Sequence, residues 1–463
     1  MDTASHQSTA ADHLCVLVHG LWGNPQHLEY LAKSLREKYP EDRLHVLVAK
    51  RNAGSFTYDG IELGGERVTK EIEETLEHHA RNGTEIKKLS IVGYSLGGLV
   101  SRYAIGLLYH KGYFDKLEPV NFTTFATPHL GVRTPLVGYH NHIWNVLGAR
   151  TLSMSGRQLF TIDSFRDTGR PLLSVLADPD SIFIRALSRF RHKSLYANIV
   201  NDRSAVYYTT GISRIDPFVD LENIKINYVE GTEQVIIDPD NPISPKEESG
   251  SLPAFSTRLT NSTRTILGQV PLIALLTVLI PIGTVIFLIN SGFQSVRSRQ
   301  RIRMHESGKA GIDIGGYRIP LIFDDVRREA EEMFENMNNL QSQEYLPAGS
   351  EELASPRSAP SSPTLLRADS SPMAKVTDNS AGDDDSIVEQ KQQLVRSLEF
   401  PTLALTPDQF AMIQALDDVG FRKYPVYIHN HRHSHAAIIV RMDKPAFGEG
   451  RIVVEHWLSE FAI

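Results

Sequence analysis

The sequence predicts an α/β fold with a mostly parallel central sheet, and three observations predict it. Short apolar runs at residues 14–18, 44–48, 88–92 and 120–126 alternate with helical stretches, the rhythm of strands joined by crossover helices. The first run ends in a glycine-rich turn, His19-Gly20-Leu21-Trp22-Gly23. The third leads into Gly93-Tyr94-Ser95-Leu96-Gly97 and then a helix-like segment, Leu99 to Leu108.

Each element follows in order. The chain reaches its first strand almost at once, so early antiparallel strands before the parallel sheet are expected to be absent. The turn after that strand has the form of an oxyanion loop. Acyl transfer develops a negative oxygen that needs preorganised backbone N–H donors, and Leu21 and Leu96 are the expected donors. Glu62 to His79 reads as a helix whose charges form a solvated face. In the third motif Gly93 and Gly97 flank Ser95 because a strand must turn sharply into a helix there, with no room for side chains. Ser95 would then stand above the sheet as a nucleophile. Strand, His-Gly loop, helix, strand and serine elbow in this order predict an α/β-hydrolase.

At these residues the chain resembles the serine esterases and lipases of the α/β-hydrolase fold, especially their fungal lipid-droplet phospholipase branch. The matching stretches are Val18-His19-Gly20-Leu21-Trp22-Gly23, Gly93-Tyr94-Ser95-Leu96-Gly97-Gly98-Leu99, Phe125-Ala126-Thr127-Pro128-His129-Leu130-Gly131 and Ser434-His435-Ala436-Ala437-Ile438. The resemblance covers about residues 12–230 well and about the last seventy moderately. It implies a lipid-hydrolysing enzyme acting first on phospholipids and next on mono- or diacylglycerols. His435 is chosen as the base from its match to the last motif. His19 and His129 are read as loop-shaping groups.

Residues 131–191 lose the alternating pattern and read as a helical cap or lid, with ordinary helices packed on the sheet as the plainer alternative. Ser194 to Val200 reads as the next strand, and Asp202 follows it where the triad acid belongs, in the order Ser, Asp, His. Asp216 and Asp220 compete for that role. Thr406-Pro407-Asp408-Gln409 starts a helix with a capping box, Gly420 ends it, and a strand is expected over 424–429. Four histidines follow: His429, His431, His433 and His435. A serine needs a positioned base after the last strand. The four could instead line one strand face as metal ligands, and His456 is the reserve base. No metal and no cofactor is expected.

The middle of the chain differs. Ile266–Ile289 carries no charge and is long enough to be a membrane segment. Arg258 and Arg264 precede it, and Arg297, Arg299, Arg301 and Arg303 follow it. A hairpin bending at Pro281 is expected, since Ser95 and Asp202 precede the segment and His435 follows it. The expected organisation is a hydrolase core at 1–230, a linker at 231–265 and the hairpin at 266–289. An amphipathic juxtamembrane segment follows at 290–339, then a disordered linker at 340–392 and the completion of the core at 393–463. Phe323 to Met337 has helical spacing, whereas the Ser-Pro-rich linker is too poor in apolar residues to order.

A net charge of −7 with 22% charged residues gives no basic field, which argues against nucleic acid as a partner. The single cysteine, Cys15, cannot form an internal disulfide, and Met1 to Asp12 lacks the apolar stretch of a secretory signal. The expected location is a lipid droplet or the cytosolic face of the endoplasmic reticulum. Acyl transfer to an alcohol, or a non-catalytic lipid-droplet scaffold, are the alternatives.

Overall fold

The computed structural model describes residues 11–132, 153–202, 205–245, 289–305, 307, 400 and 402–463. Outside them fall the hairpin expectation up to residue 288, the helix at 323–337, the linker at 340–392 and part of the cap, including Trp144 and Leu147. No described helix is long and apolar enough to cross a membrane.

Six parallel strands form the sheet. In chain order they are β1 (His13–Val18), β2 (Leu44–Val48), β3 (Lys88–Tyr94), β4 (Glu118–Phe125) and β5 (His192–Asn198), with β8 (Arg422–Val426) last. A two-stranded hairpin, β6 (Ile224–Ile226) and β7 (Ile243–Pro245), lies outside this sheet. The spatial order is β2-β1-β3-β4-β5-β8, so the chain starts near one edge, reverses at β1 and then steps outward to the other. That reversal places the carboxyl ends of β1 and β3 side by side, with Val18 opposite Gly93. Every residue of β1 is buried, as a parallel strand covered on both faces requires.

Helices cover both faces. On one, α2 (Ile61–Arg81) and α3 (Leu96–His110) pack with a helix at Ile182–Ser188 and with α5 (Pro407–Val419), numbering α4 as the helix at 289–305. On the other, α1 (Glu29–Lys38) and α6 (Gly448–Glu460) share a second apolar core that includes Leu31, Leu35, Val454 and Trp457. The capping box at Thr406 is formed with Gln409, and Gly420 closes α5 in the left-handed conformation at φ 81°. Within the cap region, Leu159, Phe160, Leu172, Leu173, Phe183 and Phe190 join the core around α3.

The last strand is shifted from its expected 424–429. It ends at Val426 because the following backbone finds other partners. Tyr427 donates to the Val235 carbonyl, and His429 donates to the Glu449 carboxylate at 2.9 Å. These bonds turn the chain off the sheet and toward the carboxyl end of β3.

Candidate active site

The serine elbow is built by what its glycines lack. Ser95 sits between β3 and α3 at φ 54°, ψ −129°, a conformation side chains seldom adopt. A Cβ on Gly97 would lie 2.2 Å from the Val18 carbonyl oxygen, and one on Gly93 would lie 2.3 Å from Gly98 Cα. The helix therefore starts hard against the end of β1. A Cβ on Gly20 would come 2.7 Å from Ser95 Cβ and 3.2 Å from its Oγ, so the loop after β1 passes directly over the hydroxyl. Leu21 belongs to that loop. Leu96 is the first residue of α3, where N–H groups have no partner within the helix.

Neighbours hold the loop. Trp22 donates through its backbone N–H to Thr57 Oγ1 at 3.1 Å and through Nε1 to Tyr58 Oη at 2.7 Å, and Gly54 donates to the Gly23 carbonyl. The 3-10 segment at Gly54–Asp59 thus buttresses the loop. His19 is buried with Nδ1 3.1 Å from the Gly20 carbonyl, which can only accept, so the ring proton is on Nδ1. Burial lowers its pKa to about 4, which keeps the imidazole neutral. His129 is also fully buried and pushed well below the ordinary histidine range, with Arg102 and Lys423 adding to the effect of burial. Its Nε2 lies 3.0 Å from Thr124 Oγ1.

The acid and base come from two distant parts of the chain. His435 Nε2 lies 3.0 Å from Ser95 Oγ, and His435 Nδ1 lies 2.8 Å from Asp202 Oδ2. A carboxylate only accepts, so Nδ1 carries the proton and Nε2 presents a lone pair to the serine hydroxyl. Asp202 also accepts from Asn198 Nδ2 at 2.9 Å and from the Ala205 N–H at 2.9 Å. It is buried, as is His435.

The competitors lie elsewhere in the hydrogen-bond pattern. Asp216 accepts from the Phe218 N–H and Asp220 from the Glu222 N–H, both as turn residues. His429 pairs with Glu449, and His431 packs edge-on against Phe447. Among the described residues no three metal-ligating side chains converge. His456 Nδ1 bonds Tyr196 Oη at 2.9 Å on α6.

Three supporting residues were not anticipated. Tyr94 donates to the His435 carbonyl at 3.0 Å, Ser434 donates to the Val200 carbonyl at 2.8 Å, and Asn198 grips the acid. Tyr94 and Ser434 were visible as neighbours of the motif residues. Asn198 carried no signal beyond its place at a strand end.

Residues 8–215 match the profile of the family described as "Putative serine esterase (DUF676)". "Putative lipase ROG1" of Saccharomyces cerevisiae is 32% identical over 210 residues, which are 44% of this chain and 29% of that protein. "Putative lipase C4A8.10" of Schizosaccharomyces pombe is 29% identical over 243 residues, covering 50% of this chain and 29% of the relative. The matched stretch thus spans under a third of these curated relatives. Among solved structures, phospholipase PlaB from Legionella pneumophila is similar at 13% identity, with a TM-score of 0.26 and 44% of each chain covered. The putative cell surface hydrolase from Lactobacillus plantarum WCFS1 matches at 11% identity and a TM-score of 0.25, over 44% of this chain and 74% of that one.

Proposed function

We propose that this chain, whose residues 8–215 match the model of the putative serine esterase family, is a serine-dependent lipase, acting on acyl esters of glycerolipids at a membrane or lipid-droplet surface, phospholipids first. The observation that carries the reading is the unbroken hydrogen-bond chain from Ser95 through His435 to Asp202.

Ser95 Oγ attacks the ester carbonyl as His435 Nε2 takes its proton, and the N–H groups of Leu21 and Leu96 meet the developing oxyanion. Asp202 stabilises the imidazolium. His435 then gives its proton to the departing alcohol, leaving an acyl-serine. Water, deprotonated by the same imidazole, attacks that ester and frees the acid. An alcohol in place of water would make the enzyme an acyltransferase through the same intermediate.

The uncharged run 266–289 supports a lipid surface as the place of action. Because Ser95 and Asp202 precede that run and His435 follows it, one site requires both flanks on one side of the lipid. A monotopic anchor meets this requirement in the endoplasmic reticulum and in a droplet monolayer, which has no second aqueous face. Glycosylation reporters near residues 255 and 310 should both stay unmodified, and modification of one alone refutes the arrangement. The activity is tested by presenting surface phospholipids and neutral glycerides in competition to the protein and its Ser95→Ala form. A fluorophosphonate that fails to label folded protein would favour a scaffold.

A further inference from the structure

The α4 helix, residues 289–305, is amphipathic the wrong way round for a helix docked on a soluble protein. Its inner face carries Ser291, Ser295, Ser298 and Arg301, at helical spacing and buried. Ser298 donates to the Tyr58 carbonyl, and Arg301 grips the buried Asp59 carboxylate through Nε at 2.8 Å and Nη2 at 2.6 Å. Arg67 donates to the same carboxylate at 2.6 Å, and both guanidiniums lie over the Phe56 ring. Lower on the helix, His305 pairs with Glu66. The contact is polar and runs through Ser298, Arg301 and His305.

Its outer face is apolar where it should be wet. Ile289, Phe293 and Val296 fall on one stripe, at four- and three-residue steps, and are 68%, 53% and 64% exposed. Arg297 lies over the Phe293 ring, and Arg299 and Arg303 are exposed further along. Among its described residues the apolar ones come first in sequence and the arginines later, and Ile289 is also the last residue of the uncharged run 266–289. Lone exposed apolar residues are ordinary, but three on one helix face, next to such a run and followed by cations, have the chemistry of a lipid–water boundary.

We propose that α4 lies on a lipid surface bearing anionic head groups, with Ile289, Phe293 and Val296 in the acyl boundary and Arg297, Arg299 and Arg303 among the phosphates. The idea rests on the lipase reading and names the face of the protein that meets its substrate's surface. The inner face then fixes the hydrolase body to that surface. Asp59 ends the 3-10 segment whose Thr57 and Tyr58 hold Trp22 of the oxyanion loop, so lipid contact and catalytic loop share one support.

The test uses the full chain. Cys15 is wholly buried, so a Phe293→Cys substitution supplies the reactive thiol for an environment-sensitive fluorophore. Val219→Cys, in the exposed stretch before β6, is the control. Phosphatidylcholine vesicles containing phosphatidylserine should shift the emission at 293 to the blue, less so without phosphatidylserine or in high salt, and leave 219 unchanged. Phe293→Asp with Val296→Asp should cut turnover of vesicle phospholipid at least tenfold, since two apolar anchors become carboxylates that anionic head groups repel. Soluble short-chain ester turnover, which reports the triad, should not change. No response at 293 to vesicles overturns the proposal, as does a blue shift without lipid that grows with protein concentration, which would make the face a contact between two copies. Absence of soluble ester turnover in the wild type would instead sink the lipase reading, while the fluorophore still decides the surface.

Discussion

The two halves of the candidate site are made of different materials. On the serine side the parts are backbone: a β1 turn and the start of α3, pressed together by glycines that leave no space for a Cβ. On the base side the parts are side chains, a relay of Asn198, Asp202, His435 and Ser95 reaching across more than half of the chain. The contrast teaches that the halves should fail differently. Damage to the first spoils shape and hence stability, whereas damage to the second spoils chemistry and leaves the shape.

The sharpest break is in the relay. Ser95→Ala and His435→Ala should each lower ester turnover on the order of 10⁴-fold or more, with the thermal midpoint close to wild type. Wild-type turnover by folded His435→Ala protein would end the base assignment. Asp202→Ala should be nearly as severe, on the order of 10⁴-fold, because the imidazole loses the partner that holds its tautomer and orientation. Gly97→Ala tests the other half. Its methyl would meet the Val18 and His19 carbonyls, which cannot swing aside, so a loss of about 3 kcal/mol in denaturant unfolding is expected. An unchanged midpoint would show that the elbow is softer than its geometry implies.

Acid should also strike the backbone half through its neutral histidines. His19, and His13 bonded to Ser90, have folded pKa values lowered to about 4 by burial, against about 6.5 when unfolded. The unfolded chain takes up protons first as pH falls. Stability is therefore complete above about pH 6.5 and drains away toward pH 4, by roughly 2 kcal/mol per histidine at pH 5. Unfolding midpoints across that range, compared with those of His13→Gln, measure it. The smallest effect is expected for His456→Ala, within about twofold of wild-type turnover, since it bonds Tyr196 and not Ser95.

Much of this was legible because glycine and apolar runs are local signals. The strands near 14–18, 44–48 and 88–92, the elbow and the capped helix after Thr406 all depend on neighbours in sequence. The relay depends on contacts between distant segments, so Asn198 and the Ser434 tether left no periodic trace. The end of β8 was misjudged for the same reason: Glu449, on another element, takes the His429 amide that alternation alone would leave in the sheet. The inward polar face of α4 was equally hidden, because serines and an arginine read as solvated until Asp59 is found beneath them.

The position of the interruption in the sheet bears on how such a chain tolerates change. β5 ends at Asn198 and its sheet neighbour β8 begins only at Arg422, with α4 docked on Asp59 and Leu403 donating to the Arg214 carbonyl at 3.0 Å in between. The last strand is held on three sides: β8 pairs with β5 along five residues, and α5 and α6 pack on opposite faces. A chain that stops short of His435 holds a serine with no base. The active centre is thereby dispersed between a fragment that is shaped but mute and a short tail that gives it speech.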